Sequence, residues 1–197
     1  MEPFSTHTGK LAVLPLDDID TDRIIPARFL SRISRSGYGE LLFADVRGAE
    51  FPLDQPQAQG ASILVAGSNF GSGSSREHAV WAIQQAGFKA VISKQTATEG
   101  AFSDIFRQNS ANCGLLLIPL MEQDWNKLRD AGSGAEATVD LPNQTVALAE
   151  NTFRFEIAPA NKRAIEQGLD LIGNTLLSAD AIEDYERERG PFAPPRE

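Results

Sequence analysis

One cysteine (Cys113) and two histidines (His7 and His78) leave this 197-residue chain very short of metal ligands. An iron–sulfur cluster ordinarily takes three or four cysteines, and a zinc site takes three or four converging ligands. Any metal in this chain's chemistry is therefore expected to come from elsewhere. A lone cysteine also excludes an internal disulfide and fits a reducing compartment. Long apolar runs are missing as well, since none approaches the roughly 20 residues a membrane helix needs. The opening "MEPFSTHTGK" has no basic stretch leading into an apolar core, so no signal peptide is expected and the cytoplasm is the default location. Basic charge is scarce: 18 Lys and Arg against 27 Asp and Glu give a net charge of −9. The nearest basic grouping, Arg28, Arg32 and Arg35, has the spacing of one helical face but does not offset this deficit. Nucleic acid is not an expected partner.

What remains is ordinary globular material. With 42% hydrophobic and 23% charged residues, the length fits one domain with a proper core. Apolar runs at residues 9–16, 61–67, 88–93 and 114–120 read as strands. Helical patterns at 75–86, 100–111 and 121–132 alternate with them, two of these closed by Gly87 and Gly132. Strand–loop–helix–strand predicts parallel pairing with a right-handed crossover. Residues 136–141, 144–149 and 152–157 then show strand content separated by turns at Pro142-Asn143 and Glu150-Asn151. Two short helical segments follow, at 161–168 and 178–190, and residues 191–197 read as a disordered tail. The whole predicts a single mixed α/β domain with an antiparallel portion and no linker.

Chemistry concentrates in "GSNFGSGSSREH", residues 67–78. It is not a P-loop, because no lysine precedes the helix. It is not a dinucleotide fingerprint, because Gly71 and Gly73 are followed by Arg76 where a third glycine belongs. The G-x-S-x-G elbow is absent as well. Ser74-Ser75-Arg76-Glu77 has the spacing of a capping box, which predicts a purely structural role with Ser74 accepting from the Glu77 amide. A functional reading stands beside it. The loop follows a strand and opens a helix, so it lies at the carboxyl end of the sheet, where open α/β folds bind ligands. The helix start offers amides and partial positive charge, Arg76 offers a fork for a carboxylate, and a serine among such donors suits proton transfer. His78 fits an orienting group or a packed helical side chain, and Cys113 fits a small buried hydrophobe.

"NFGSGSSREHA" resembles the signature of the small subunits of 3-isopropylmalate dehydratases, which correspond to the swivelling domain of aconitase. "HTGKLAVLPLDDIDTDRIIPARFL", "SRSGYGELLF", "QGASILVA", "FSDIFRQNSANCGLLLIP", "FRFEI" and "GLDLIGNTL" resemble family segments in family order, over nearly the whole chain. The resemblance implies a swivelling β/β/α fold, with a mixed sheet and flanking helices. It also implies a hydro-lyase that moves a hydroxyl between adjacent carbons of isopropylmalate. The [4Fe–4S] cluster is implied on a large-subunit partner and no cofactor on this chain. Ser74 is then the expected base, Ser75 and Arg76 hold a substrate carboxylate, and Asp22 and Arg35 match further substrate-binding positions. Asp22 fits a turn cap equally well, and Arg35 a solvated arginine. Three departures bear on the substrate: Ser72 stands where the family commonly has cysteine, residues 93–102 form a longer connection, and residues 161–168 differ. Methylmalate and homoaconitate are the alternative substrates, and a non-catalytic anion-binding subunit is the alternative of another class. Residues 22–38 are expected to be mobile without the partner.

Overall fold

Apolar strands flanked by helices build one seven-stranded sheet in the computed structural model, which describes residues 1–189. The tail expected at 191–197 lies outside the described residues. Strand order is β4-β3-β2-β1-β5-β6-β7. β1 (Thr6–Leu14), β2 (Ile63–Ala66), β3 (Ala90–Gln95) and β4 (Leu116–Met121) run parallel. β5 (Glu136–Asp140), β6 (Thr145–Leu148) and β7 (Asn151–Arg154) continue the other edge of β1 as an antiparallel meander. The mixed sheet expected from the chain's change of character is present.

The parallel strands are buried on both faces, which is why they read as unbroken apolar runs. Alternation sends Ala12, Leu14, Leu64, Ala66 and Val91 into one core. Leu11, Val13, Ile63, Val65, Ala90 and Ile92 go into the other. The first core is covered by α2 (Glu77–Gln85), α3 (Asp104–Cys113) and the irregular residues 19–61. The second is covered by α4 (Glu122–Ala131), through Trp125 and Leu128, and by Ile165 of α5 (Pro159–Gln167).

β1 begins three residues earlier than its apolar run, because Thr6–Lys10 pairs with β5 while Leu11–Leu14 pairs with β2. The polar first half alternates in burial and the second half is wholly buried, so only the latter carries an apolar signal. The acidic segment read as a turn contains one helical turn, α1 (Thr21–Ile24), with Asp20 accepting from the Arg23 amide at 2.7 Å. The turn between β6 and β7 falls at Ala149-Glu150, one residue early, and puts Ala149 at φ +50°. Two further helices, α6 (Leu171–Leu176) and α7 (Ala179–Arg189), end the described chain, and neither buries a residue.

Candidate active site

Three loops leave the carboxyl ends of β1, β2 and β3 side by side, and the serine–glycine loop is the middle one. Its backbone is stitched to both neighbours. On the β1 side, the Gly67 amide donates to the Leu16 carbonyl at 3.1 Å and the Gly71 amide to Ile19 at 2.7 Å. The Asp18 and Thr21 amides donate back to Ser68 and Ser72 at 3.0 and 2.8 Å. On the β3 side, the Asn69 and Phe70 amides donate to Gly100 and Ala101, both at 2.9 Å. Isolated parallel bridges join Asp20 to Ser72 and Phe70 to Phe102. The loop is thus an extension of sheet pairing beyond the last regular residue of β2.

Glycine is required at two turns of this path. Gly71 sits at φ +78° against the Phe106 ring of α3, with Phe106 Cδ2 and Cβ 2.6 and 2.7 Å from where a Cβ would be. Gly73 sits at φ +97° over Thr21. A second layer of polar side chains fixes the loop from behind. Asp17 accepts from the Ser68 amide at 2.7 Å and from Lys94 Nζ at 3.0 Å, and the Ser68 hydroxyl donates to Glu99. Partial burial pushes the Asp17 carboxyl up, but the Ser68 amide and Lys94 ammonium outweigh it and hold the carboxyl below its ordinary value. The connection after β3 is what delivers Glu99. Thr96 Oγ1 accepts from the Glu99 amide at 2.9 Å and turns the chain back toward Ser68.

The capping box does not form. α2 starts at Glu77, two residues later than the pattern predicts, with Arg76 in extended conformation (φ −128°, ψ 102°) at the capping position and no side-chain cap. Two left-handed glycines swing the chain out of the geometry that S-x-x-E spacing assumes. The Ser75 hydroxyl instead accepts from Asn109 Nδ2 of α3 at 3.4 Å. Ser74 is therefore not used as a cap. It is exposed, beside a helix start whose first amides have no side-chain partner.

Arg76 donates from Nη1 to the Asp22 carboxylate across 54 residues of sequence. The Arg76 side chain is only 17% exposed while Asp22 is 57% exposed, so the pair sits at the rim with the guanidinium inward. Of the five sequence-predicted residues, Ser74, Ser75 and Arg76 share the loop, and Asp22 joins them through this ion pair. Arg35 sits apart from that pair: its guanidinium lies 5.2 Å over the Trp81 ring on α2, and its carbonyl accepts from Gln85 at 2.7 Å. His78 packs against Trp81 and Tyr38 at centroid distances of 4.6 and 5.5 Å, which is the packed-side-chain alternative. Cys113 is half-buried, and burial together with the Glu77 charge pushes its thiol up. Among the described residues, no group of three or more His, Cys, Asp or Glu converges on one point. Nor is any helix among the described residues long and apolar enough to cross a membrane.

Sequence reasoning missed Asn109, Thr21 and the Asp17–Ser68–Glu99 layer. Thr21 is buried beneath Gly73 with its hydroxyl unpartnered among the described residues. The run "DDID" was the available signal: three acids in four residues at a strand end are each used, on Ser68, Asn69 and the α1 cap.

Comparison with known proteins gives the same architecture a family. Residues 1–123 match the model of the aconitase C-terminal domain, and residues 127–159 match one described as LeuD_N. A curated 3-isopropylmalate dehydratase small subunit from Corynebacterium jeikeium is 45% identical, over 98% of this chain and 97% of the relative. One of the same name from Bacillus subtilis is 45% identical over 98% of each chain. A solved structure of 3-isopropylmalate dehydratase from Methanocaldococcus jannaschii superposes with a TM-score of 0.65 at 30% identity. The match covers 92% of this chain and 99% of that one.

Proposed function

Because the chain belongs to the family of 3-isopropylmalate dehydratase small subunits, we propose that its serine–glycine loop is half of the active site of that hydro-lyase. The substrate is 2-isopropylmalate, converted to 3-isopropylmalate through isopropylmaleate in leucine biosynthesis, in the cytoplasm. The other half, with a [4Fe–4S] cluster, belongs to a large-subunit partner. The observation that carries this reading is the Asp22–Arg76 ion pair set beside an exposed Ser74 and an uncapped α2. It sets a guanidinium and the free amides of a helix start next to an exposed hydroxyl.

Ser74 removes the proton from the substrate carbon next to the one bearing the hydroxyl. The electron pair of that C–H bond forms the alkene as the C–O bond breaks, the hydroxyl leaving with its pair to the acid that the large subunit's cluster would supply. Rehydration then puts the hydroxyl on the carbon that lost its proton and a proton on the carbon that lost its hydroxyl, which gives the isomer. A serine is a weak base alone, so its alkoxide needs nearby positive charge. The α2 N-terminus and Arg76 supply this without any rearrangement of the backbone, because the loop is already fixed on both edges. Arg76 holds a substrate carboxylate in place of Asp22, with Ser75 donating to the same group. Arg35 approaches from the α2 side to bind the substrate's other end. Methylmalate and homoaconitate are not favoured as substrates, since the similar relatives carry the isopropylmalate name.

The test mixes the chain with its iron–sulfur large subunit and follows isopropylmaleate absorbance. S74A is expected to lower kcat about 10²- to 10⁴-fold while the variant still binds its partner. Wild-type turnover by S74A would remove the role given to that serine.

A further inference from the structure

Helices α6 and α7 pose a physical problem. Neither buries a residue, yet they and the residue that caps α6 expose Leu171, Ile172, Leu176, Leu177, Ile182 and Tyr185, four of them more than 60% exposed. Helices of 6 and 11 residues are marginal in water unless an apolar face is packed against something. The apolar area they present is on the order of 600 Å², the upper end of what a monomer ordinarily leaves uncovered.

Where this face lies bears on what covers it. Leu171 and Ile172 line the same groove as Arg35, Glu77 and Trp81. Glu77 is the first residue of α2, immediately after the serine–glycine loop, so the apolar face continues the surface on which the half-site opens. A second copy of this chain lying there would block that side of the site. A chain that completes the site would cover both at once. The family matches point the same way. The aconitase-domain match stops at residue 123 and the second at 159, so α6 and α7 lie outside both. They lie within the 98% of the chain aligned with curated small subunits. An aconitase C-terminal domain is by its description one part of a longer protein, whereas a separate subunit must hold its partner by surface alone.

We infer that the apolar face of α6 and α7 is the anchor by which this chain holds its large subunit. The face adjoins the groove at the start of α2, next in sequence to the serine–glycine loop, so docking and completion of the site are one event. The inference rests on the heteromeric reading above. Its test is a double variant, L176D/I182D, made in the full-length chain on positions away from the groove. Affinity for the large subunit is measured by calorimetry, and turnover is measured at saturating large subunit. Replacing two half-buried-on-docking aliphatic side chains by charge is expected to weaken association by roughly 30- to 100-fold. Turnover at saturation is expected to be unchanged, and L176M/I182L is expected to bind as wild type. The variant M121D, at the end of β4, is the surface control and is expected to bind normally.

Undiminished affinity in L176D/I182D would overturn the inference while leaving the catalytic proposal intact. A wild-type chain that sediments as a dimer, and becomes a monomer with unchanged large-subunit affinity in the variant, would overturn it too, by assigning the face to a second copy. A wild-type chain that binds the large subunit tightly through this face but never turns over isopropylmalate would instead sink the catalytic reading and leave the anchor standing.

Discussion

Substituting Gly71 by alanine is a small change that strikes the site through its scaffold. The residue sits at φ +78°, where an L-residue costs about 1–2 kcal/mol. The new methyl also enters the Phe106 ring, 2.6 Å from Cδ2, and overpacking of a filled core costs about 1–3 kcal/mol. Alanine returns about 0.4–1 kcal/mol by restricting the unfolded chain. The net loss is therefore about 1–4.6 kcal/mol, which for a domain of this size lowers Tm by roughly 2–18 °C. Phe106 is 1% exposed, so it gives way only by shifting α3, and Asn109 one turn further on moves with it. The Asn109–Ser75 hydrogen bond is then lost, and activity falls by more than the fraction unfolded explains. Urea denaturation of G71A, F106A and the double variant closes a thermodynamic cycle. The double variant is expected to be less destabilised than the sum of the singles by about 1–2 kcal/mol, because the ring that collides has been removed. A G71A chain as stable as wild type, or strictly additive losses, would refute the steric account.

R76K keeps the charge but loses the planar fork, so KM for the dicarboxylate is expected to rise about tenfold or more. Stability is expected to change by less than about 1 kcal/mol, since the rim pair with Asp22 is exposed on one side. Steady-state kinetics beside a thermal melt separate the two effects. Asp17 titrates lower in the folded chain than in the unfolded one. Its contribution is therefore present above the unfolded carboxylate value, about pH 3.9, and is lost as pH falls through the lower folded value. D17N is expected to cost about 1 kcal/mol at pH 7, discounted for the half-exposed carboxylate, and progressively less below about pH 4. Urea midpoints across that range check it. Residues 31–37 are all exposed, and Ile33 fully so. Their amides are expected to exchange rapidly in the free chain and to slow when the large subunit is added, as read by hydrogen exchange.

The legible parts of this fold are those whose signal is local. β2, α2 and β3 follow from an apolar run, a helical period and a glycine at φ +102° that stops the helix. The first half of β1 is invisible locally because its partner is 130 residues away and its own residues are polar. α1 is one turn long, too short for periodicity. α6 carries apolar residues that meet no core, so its pattern has nothing to face. At the site, the motif and the family resemblance named Ser74, Ser75, Arg76 and Asp22, which the fold brings together, and Arg35, which it sets apart from that pair. Spacing alone misassigned Ser74 as a cap, because torsions at Gly71 and Gly73 decide where α2 begins and no residue pattern encodes them. The Asn109–Ser75 contact depends on how α3 packs, which only the assembled core reveals.

β1 has a consequence for how the chain is made. Of the seven strands it is made before the other six and ends at the centre of the finished sheet, with Leu14 opposite Ala66 on one edge and Thr6 opposite Asp140 on the other. At about 5–20 residues per second, synthesis takes roughly 6–25 s to reach the second of those partners. For that interval the nascent chain carries an aliphatic strand with at least one open edge, the configuration most prone to pairing with a neighbour. Production of this protein is therefore expected to be limited by holding chaperones and by translation speed rather than by the stability of the finished domain.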